Sequence, residues 1–385
     1  MQNSSERLYF IDNLRVFTIF LVIVLHASLC YMVYAPQWWY VVDPQRSFVF
    51  DINVLLIDIF IMPTMFFAAG YFATPTLRKK GTGAFWIDKG WRILLPWVLG
   101  SLCLAPLIAY MIIFSRTDTP PNYIGFWFGD FWGPYFQQAH YWFLGVLTLF
   151  FLAFTLVNGL IPRVFQKEAR ATQPSRWLFP AFLIITTGAF LAGNLFYSAD
   201  AWEHISYLFV IQPARIGIYA AYFALGIYSW RCGWFTAFGY RPRPLGWSLA
   251  AVITAIAYLA YRIAHPAPTE LIVKLGWGLL QNAFSMTTFF ALLALFQRYV
   301  NQGGYWWRRF GENSYGIYYI HNLILLPTVY LLRPTGLPVL LKFVIVVLFT
   351  MLFAFVFLEY IVKVPLRWRK GTIKSPGYPS NQKSD

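Results

Sequence analysis

Charged side chains are scarce in this chain, and the shortage decides its class. Only 12% of the 385 residues are charged, whereas 59% are hydrophobic. Because a soluble domain carries about 25% charged residues, the composition excludes an ordinary soluble protein. Apolar runs of roughly twenty residues indicate a polytopic membrane protein instead.

Cysteine is scarce as well. The three cysteines, Cys30, Cys103 and Cys232, lie in different segments and do not have the spacing of metal ligands. An odd, scattered set excludes a disulfide framework and argues against a zinc site, so we expect no metal.

Acidic residues are outnumbered two to one, which gives a net charge of +15. Such an excess can indicate nucleic-acid binding, but here the basic residues cluster in a few segments between apolar runs. That distribution is typical of membrane orientation signals. We therefore expect membrane lipids or a phosphorylated cofactor as partners, and no nucleic acid.

The apolar runs predict an all-α, polytopic bundle of about ten transmembrane helices. We expect one domain over residues 1–370 and a disordered cytoplasmic tail over 371–385. The runs lie at about 14–34, 52–74, 93–114, 141–162, 177–197, 207–228, 245–261, 272–297, 314–332 and 338–362.

Alternate connections between these runs differ in charge. The two terminal segments and every second connection together carry 22 basic residues, whereas the other connections carry four. Because positively charged segments stay in the cytoplasm, this asymmetry predicts that both termini are cytoplasmic.

Arg15 and His26 are an unusual ionisable pair in the first run. Eleven helical residues separate them by ~16 Å and return both side chains to one face. A buried histidine can simply pack between helices, but ionisable residues within a membrane usually have a function. A near-neutral imidazole is suited to take a proton from a hydroxyl group.

A basic cluster formed by Arg78, Lys79, Lys80, Lys89 and Arg92 precedes and begins the third run. It can be read as a topology signal alone. It is also suited to polyphosphate binding, because arginine offers forked donors and lysine a point charge. Coenzyme A carries three phosphates and is cytoplasmic, so its acyl thioester would dock on this side.

Polar residues in other runs predict an interior polar cavity. They are Asp58, Gln212, Arg215, Gln281, Asn282 and His321. An aromatic segment over residues 123–142 adds His140 and Trp142 on the outer side. It is typical of a membrane-interface belt, but its mixture of rings and polar groups would also suit a sugar.

Five segments, in chain order, carry a family resemblance. They are Arg15-x10-His26 after Tyr-Phe-Ile-Asp-Asn-Leu, Met-Phe-Phe-Ala-Ala-Gly-Tyr-Phe at 65–72, Lys-Gly-Trp-Arg-Ile-Leu-Leu-Pro at 89–96, His-Tyr-Trp-Phe-Leu at 140–144, and Gly-Glu-Asn-Ser-Tyr-Gly-Ile-Tyr-Tyr-Ile-His at 311–321. Together they resemble the membrane-bound acyltransferase 3 family over roughly residues 7–365. The fourth segment is most similar to the glucan biosynthesis protein C-like branch. The chain departs at Met65 and Ala69, where the family has phenylalanine and usually serine.

The resemblance implies an O-acyltransferase of a bacterial cytoplasmic (inner) membrane. It would move an acyl group, acetyl or succinyl, from cytoplasmic acyl-CoA (acetyl-CoA or succinyl-CoA) to a hydroxyl of an extracytoplasmic saccharide or glycolipid. It implies His26 as the catalytic residue, Arg15 as a catalytic and donor-binding residue, and the basic cluster as the coenzyme A site. The substrate cavity would include Asp58, His140, Trp142, Arg215, Ser314, Tyr315 and His321.

A membrane transporter or glycan exporter is the alternative, because the same polar residues could line a transport path. Transporters often contain inverted repeats around a site at the membrane midplane. The sequence contains no recognisable repeat, and the order of the five segments favours the enzyme. The oligomeric state is left open.

Overall fold

A computed structural model describes residues 8–162, 171–236 and 238–363. Residues 163–170, which belong to the predicted connection at 163–176, and the predicted tail at 371–385 lie outside the described residues. The helices of the described residues are α1 Tyr9–Leu29, α2 Phe48–Lys80, α3 Thr82–Phe114, α4 Tyr123–Phe128, α5 Trp142–Leu160, α6 Leu178–Asn194, α7 Pro213–Arg231, α8 Pro244–Ala264, α9 Leu271–Tyr299, α10 Tyr305–Leu332 and α11 Val339–Val356, which continues as a π-helix to Val362.

Within the described ranges, eight of these helices are long and apolar enough to cross a membrane. The predicted all-α polytopic bundle is therefore confirmed. The two other long helices, α6 and α7, occupy the predicted fifth and sixth spans. Helix α6 has only 17 residues, and α7 is less apolar because it includes Arg215 and Arg231.

Two boundaries on the basic side differ from the prediction. Helix α2 continues to Lys80 and α3 begins at Thr82, so most of the predicted connection at 75–92 is helical. Gly81 makes the break, with a φ of 75° that favours glycine. Lys89 and Arg92 consequently lie on α3 itself.

Helix α3 contains two prolines, Pro96 and Pro106, yet remains continuous. A π-helical turn over Gly90–Leu94 precedes the first, and another over Gly100–Leu104 precedes the second. Proline removes a backbone donor and crowds the preceding turn, and local π adjustments accommodate it in membrane helices.

A short hairpin replaces the predicted start of the sixth span at residue 207. Strand β1 Glu203–Ile205 pairs antiparallel with β2 Phe209–Ile211, with His204 opposite Val210. Helix α7 begins only at Pro213, a residue favoured in the first helical turn.

The bundle is packed most closely where α2 crosses α7. A Cβ atom on Gly70 would lie 2.0 Å from the Phe223 carbonyl oxygen, and one on Gly226 would lie 2.2 Å from the Phe67 carbonyl oxygen. Small residues let membrane helices approach at backbone contact. Helix α1 packs against α2, α9, α10 and α11, and therefore lies inside the bundle.

Candidate active site

A cavity of about 1320 Å³ opens at one end of the bundle. It lies at the end of α1, α3 and α8 and the beginning of α2 and α7, where the connections with few basic residues meet. Four predicted site residues line it together with His26: Asp58, His140, Trp142 and Arg215.

His26 forms the closest contact of the site with His321. His26 lies in the last turn of α1, and its Nδ1 atom is 2.7 Å from Nε2 of His321 on α10. The two rings are nearly parallel, with an interplanar angle of 8°. His321 is fully buried behind His26 and does not itself line the cavity.

The position of His321 differs from the sequence expectation. The apolar run at 314–332 would place His321 about two turns into its helix. Helix α10 begins at Tyr305, so His321 is more than four turns into it. This longer helix brings His321 level with His26.

His140 is the third histidine of the cluster. Its ring lies 4.5 Å from that of His321 and 6.2 Å from that of His26, measured between centroids. Its Nδ1 atom is 3.0 Å from the Asn322 amide nitrogen, and its Nε2 atom is 3.3 Å from the Tyr319 carbonyl oxygen. The Tyr318 hydroxyl donates to the His140 carbonyl oxygen. His140 is thus held from both sides by α10.

A segment between α1 and α2 covers His26. The Trp39 ring lies 5.4 Å from the His26 ring, and its indole nitrogen donates to the Cys30 Sγ atom over 3.2 Å. Arg116 fixes this segment by donating to the carbonyl oxygens of Gln37, over 2.7 Å, and of Trp39, over 2.5 Å. Trp39 therefore has a fixed place beside the imidazole.

A chain of alternating charges crosses the cavity wall. Arg215, at the start of α7, donates to Asp58 of α2 and, over 2.6 Å, to Asp200. Arg262 of α8 lies 3.7 Å from the second oxygen of Asp200. Two acidic and two basic side chains thus offset each other, and both carboxylates remain partly exposed.

Arg15 lies at the opposite end of α1, ~16 Å from His26 along the helix axis. Its side chain is 38% exposed, and its guanidinium lies 3.7 Å from Asp12. Arg15 also lies near enough to Lys89 of α3 for their charges to interact. One helix therefore carries both the catalytic candidate and a cation on the basic side.

The predicted basic cluster is organised around an acidic residue. Both Lys80 and Arg92 contact one oxygen of Asp88, at 2.9 and 3.1 Å. The Lys89 ammonium lies over the Phe151 ring, 4.4 Å from its centroid. Arg92 is 77% exposed, so its guanidinium can contact other groups as well.

The other two members of the cluster lie at the end of α2. Arg78 lies over the Trp230 ring of α7, 5.4 Å from its centroid. Lys79 is exposed. These two side chains form one face of the basic surface.

A comparison with protein families identifies this arrangement. Residues 8–359 match the family model described as the acyltransferase domain of the acyltransferase 3 type. The chain belongs to the acyltransferase 3 family. It is therefore a membrane acyltransferase. Comparisons with curated proteins and with solved structures gave no match.

Besides His321, two further residues predicted for the substrate cavity of this acyltransferase do not line it. Ser314 is buried and donates to the Gly311 carbonyl oxygen over 2.9 Å. The Tyr315 ring lies 6.4 Å from the Tyr319 ring, on the side of α10 that faces α3. The motif around residue 314 therefore belongs to the packing of α10, and the same helix contributes His321 and Asn322 to the histidine cluster.

Several residues of the candidate site have no sequence signal of their own. Asp200 and Arg262 lie in connections and at helix ends, where charges are common, and Asp88 lies in a basic segment. Asn322 follows a motif residue and could have been found by its helical register. Among the described residues, no group of histidine, cysteine and acidic side chains is arranged as a metal site.

Proposed function

We propose that the protein is an O-acyltransferase of a bacterial cytoplasmic membrane. It moves an acetyl or succinyl group from cytoplasmic acyl-CoA to a hydroxyl of an extracytoplasmic saccharide or glycolipid. The single observation that carries this proposal is that α1 presents Arg15 at the basic end and His26 in the cavity at the other end.

Donor binding is proposed for the basic end. Arg15, Lys89 and Arg92 offer positive charge beside α3, and coenzyme A phosphates require such charge. Arg78, Lys79 and Lys80 extend the same surface. Asp88 holds Lys80 and Arg92 in place until phosphate oxygens replace or join its carboxylate.

Acceptor binding is proposed for the cavity. Its wall combines the rings of Trp38, Trp142 and Trp202 with the carboxylates of Asp58 and Asp200. Aromatic rings stack on the apolar faces of a sugar, and carboxylates accept hydrogen bonds from its hydroxyls. A periplasmic glucan is one acceptor of this class, which agrees with the resemblance to the glucan biosynthesis protein C-like branch.

The proposed chemistry begins at His26. Its imidazole takes the proton of the acceptor hydroxyl, the oxygen bonds to the thioester carbonyl carbon, and the carbon–sulfur bond breaks. The coenzyme A thiolate then receives the proton. A two-step route through an acyl-imidazole is equally compatible with the position of His26.

Proteoliposomes containing the purified protein provide the test. Radiolabelled acetyl-CoA or succinyl-CoA is supplied on the side of the basic cluster, and glucan oligosaccharides are supplied on the other. We expect label covalently attached to the oligosaccharide. Movement of oligosaccharide without labelling would favour the exporter instead, and mass spectrometry of envelope glycans with and without the gene would identify the natural product.

The orientation needs its own test. In a cysteine-free background, Ser175→Cys marks the connection before α6, and Thr269→Cys marks the connection before α9. With both termini cytoplasmic, an impermeant maleimide should label residue 269 but not residue 175 in intact cells. The reverse labelling pattern would show that the cavity opens to the cytoplasm.

A further inference from the structure

The hydrogen bonds around His321 determine which of its ring nitrogens carries a proton. Nδ1 of His321 lies 2.6 Å from the Tyr318 carbonyl oxygen. A carbonyl oxygen can only accept a hydrogen bond, so Nδ1 must be the donor.

The second nitrogen of His321 must then be unprotonated. A doubly protonated ring would place a positive charge at a fully buried position. Within the described ranges no carboxylate contacts this ring, so no opposite charge would offset the cost of burying that charge. His321 is therefore neutral, and its Nε2 atom presents a lone pair to α1.

This lone pair fixes the protonation of His26. Nε2 of His321 is 2.7 Å from Nδ1 of His26, and one of the two atoms must donate. Since Nε2 is the acceptor, the proton lies on His26 Nδ1. The other nitrogen of His26, Nε2, is then unprotonated, on a ring that lines the cavity beside Asn322.

We infer that His321 is a positioning residue that holds His26 as the Nδ1–H tautomer, so that Nε2 of His26 is the base for the acceptor hydroxyl. Only the role of His26 Nε2 as the base for the acceptor hydroxyl rests on the proposed function. A carboxylate often orients a catalytic histidine in this way, and here a second histidine takes that role.

His140 provides a contrast within the same cluster. Its Nδ1 atom faces the amide nitrogen of Asn322, which is a donor, and its Nε2 atom faces the Tyr319 carbonyl oxygen. The same reasoning gives His140 the opposite tautomer, with the proton on Nε2. Two neighbouring histidines are thus predicted to differ in a measurable property.

The hydrogen bond also supports the transfer step. When Nε2 of His26 takes the hydroxyl proton, the ring becomes an imidazolium whose Nδ1–H bond still points at His321. The alkoxide oxygen bonds to the thioester carbon, the sulfur leaves with the electron pair of the broken bond, and Nε2 returns the proton to that thiolate. No other reactant is required.

Nitrogen NMR of the full-length protein in bilayers tests the tautomers without any substrate. With ¹⁵N-labelled histidine, we expect a protonated Nδ1 coupled through a hydrogen bond to an unprotonated Nε2, which identifies the pair of His26 and His321. A His140→Gln variant identifies the His140 signals, whose protonated nitrogen should be Nε2. A protonated Nε2 on His26, or a doubly protonated ring at His26 or His321, would overturn the inference.

Two matched variants test the role in turnover. The amide oxygen of glutamine can accept the hydrogen bond in His321→Gln, whereas methionine in His321→Met has similar size but offers only a weak acceptor. We expect kcat to fall about 10²-fold or more in His321→Met, with donor KM within about twofold, and to recover at least about tenfold in His321→Gln. Equal kcat values in two folded variants would remove the positioning role.

The NMR experiment and the acyl-transfer assay together distinguish a failure of this inference from a failure of the proposed function. If the wild-type protein transfers no acyl group while NMR gives the expected tautomers, the proposed function fails and the assignment of protons stands. If acyl transfer is observed and NMR gives the reverse tautomer, the inference alone fails.

Discussion

The two ends of the bundle differ in their balance of charge. At the cavity end, acidic and basic side chains form closed sets, as in the chain from Asp58 through Arg215 to Asp200. At the basic end, several cations share Asp88, and Arg92 remains 77% exposed. One end is thus close to neutral, whereas the other presents an excess of positive charge.

The ion pair between Asp43 and Lys342 is the extreme case at the cavity end. Both side chains are fully buried, and the ammonium lies 3.2 Å from the carboxylate. Lys342 also donates to the Arg333 carbonyl oxygen over 3.3 Å. The pair joins α11 to the segment that carries Trp39, and so helps to hold the cover over His26.

This difference matches the chemistry that each end would serve. The proposed acceptor, a neutral sugar, would be recognised by rings and hydrogen-bonding groups, which agrees with charges that are already paired. A polyphosphate donor brings its own negative charge, so cations at the basic end can remain partly unpaired.

The largest expected effect is at His26. His26→Ala should lower acyl transfer about 10²–10⁴-fold while donor binding persists, because it removes the proposed base. Transfer by purified variants and coenzyme A binding measure this separation. His265→Ala, an exposed histidine after α8, is the control and should retain activity. Near-normal turnover in His26→Ala would move the chemistry away from α1.

The next effect concerns stability at the cavity end. Lys342→Met should lower the free energy of unfolding by about 3–5 kcal/mol, because Asp43 becomes a buried, uncompensated charge. Denaturant unfolding in detergent measures the loss. Adding Asp43→Leu should recover most of it. A double variant no more stable than the single one would show that the pair is not what holds this end together.

A substitution at Arg15 tests whether a residue at the basic end affects both donor binding and turnover. Arg15→Ala should reduce kcat/KM for the donor roughly 10- to 100-fold, since a charge-assisted hydrogen bond to an anion is lost. Both donor KM and kcat should change, unlike in His26→Ala. Arg298→Ala, at the same end on α9, serves as the control for general loss of charge. A change in kcat alone would contradict the proposed donor role.

The smallest effect is expected at Arg92, an exposed member of the basic cluster. Arg92→Ala should weaken donor affinity only about two- to fivefold, because solvent screens a side chain so exposed. The loss should be larger at low ionic strength than at high. Arg308→Ala gives the matched exposed control. Unchanged donor affinity at low salt would reduce this part of the basic cluster to an orientation signal.

Much of the fold was predictable from hydropathy because lipid contact imposes a strong constraint. Every span must be apolar and helical, so the apolar runs along the sequence locate the helices. Helix ends were less predictable, since α3 and α10 extend beyond their apolar parts into polar sequence. Short features such as the hairpin at β1 and β2 depend on local packing and were missed.

Arg15 and His26 lie on one helix, as predicted, because helical periodicity is a local property. The relation between them and other helices is not local. Asp200 and Arg262 are ordinary charges in the sequence, and only the approach of α2, α7 and α8 joins them to Asp58. Ser314 and Tyr315 lie in a recognisable motif but away from the cavity.

The class of protein, the helical periodicity and the family resemblance can be read from the chain, because each depends on residue type and spacing along it. Helix packing, by contrast, brings His26 to His321 and sets His140 beside them. The contact between His26 and His321 joins residues 295 positions apart, and that between His140 and Asn322 joins residues 182 positions apart. Their partners, and therefore the protons on each ring, are set by which helices pack together.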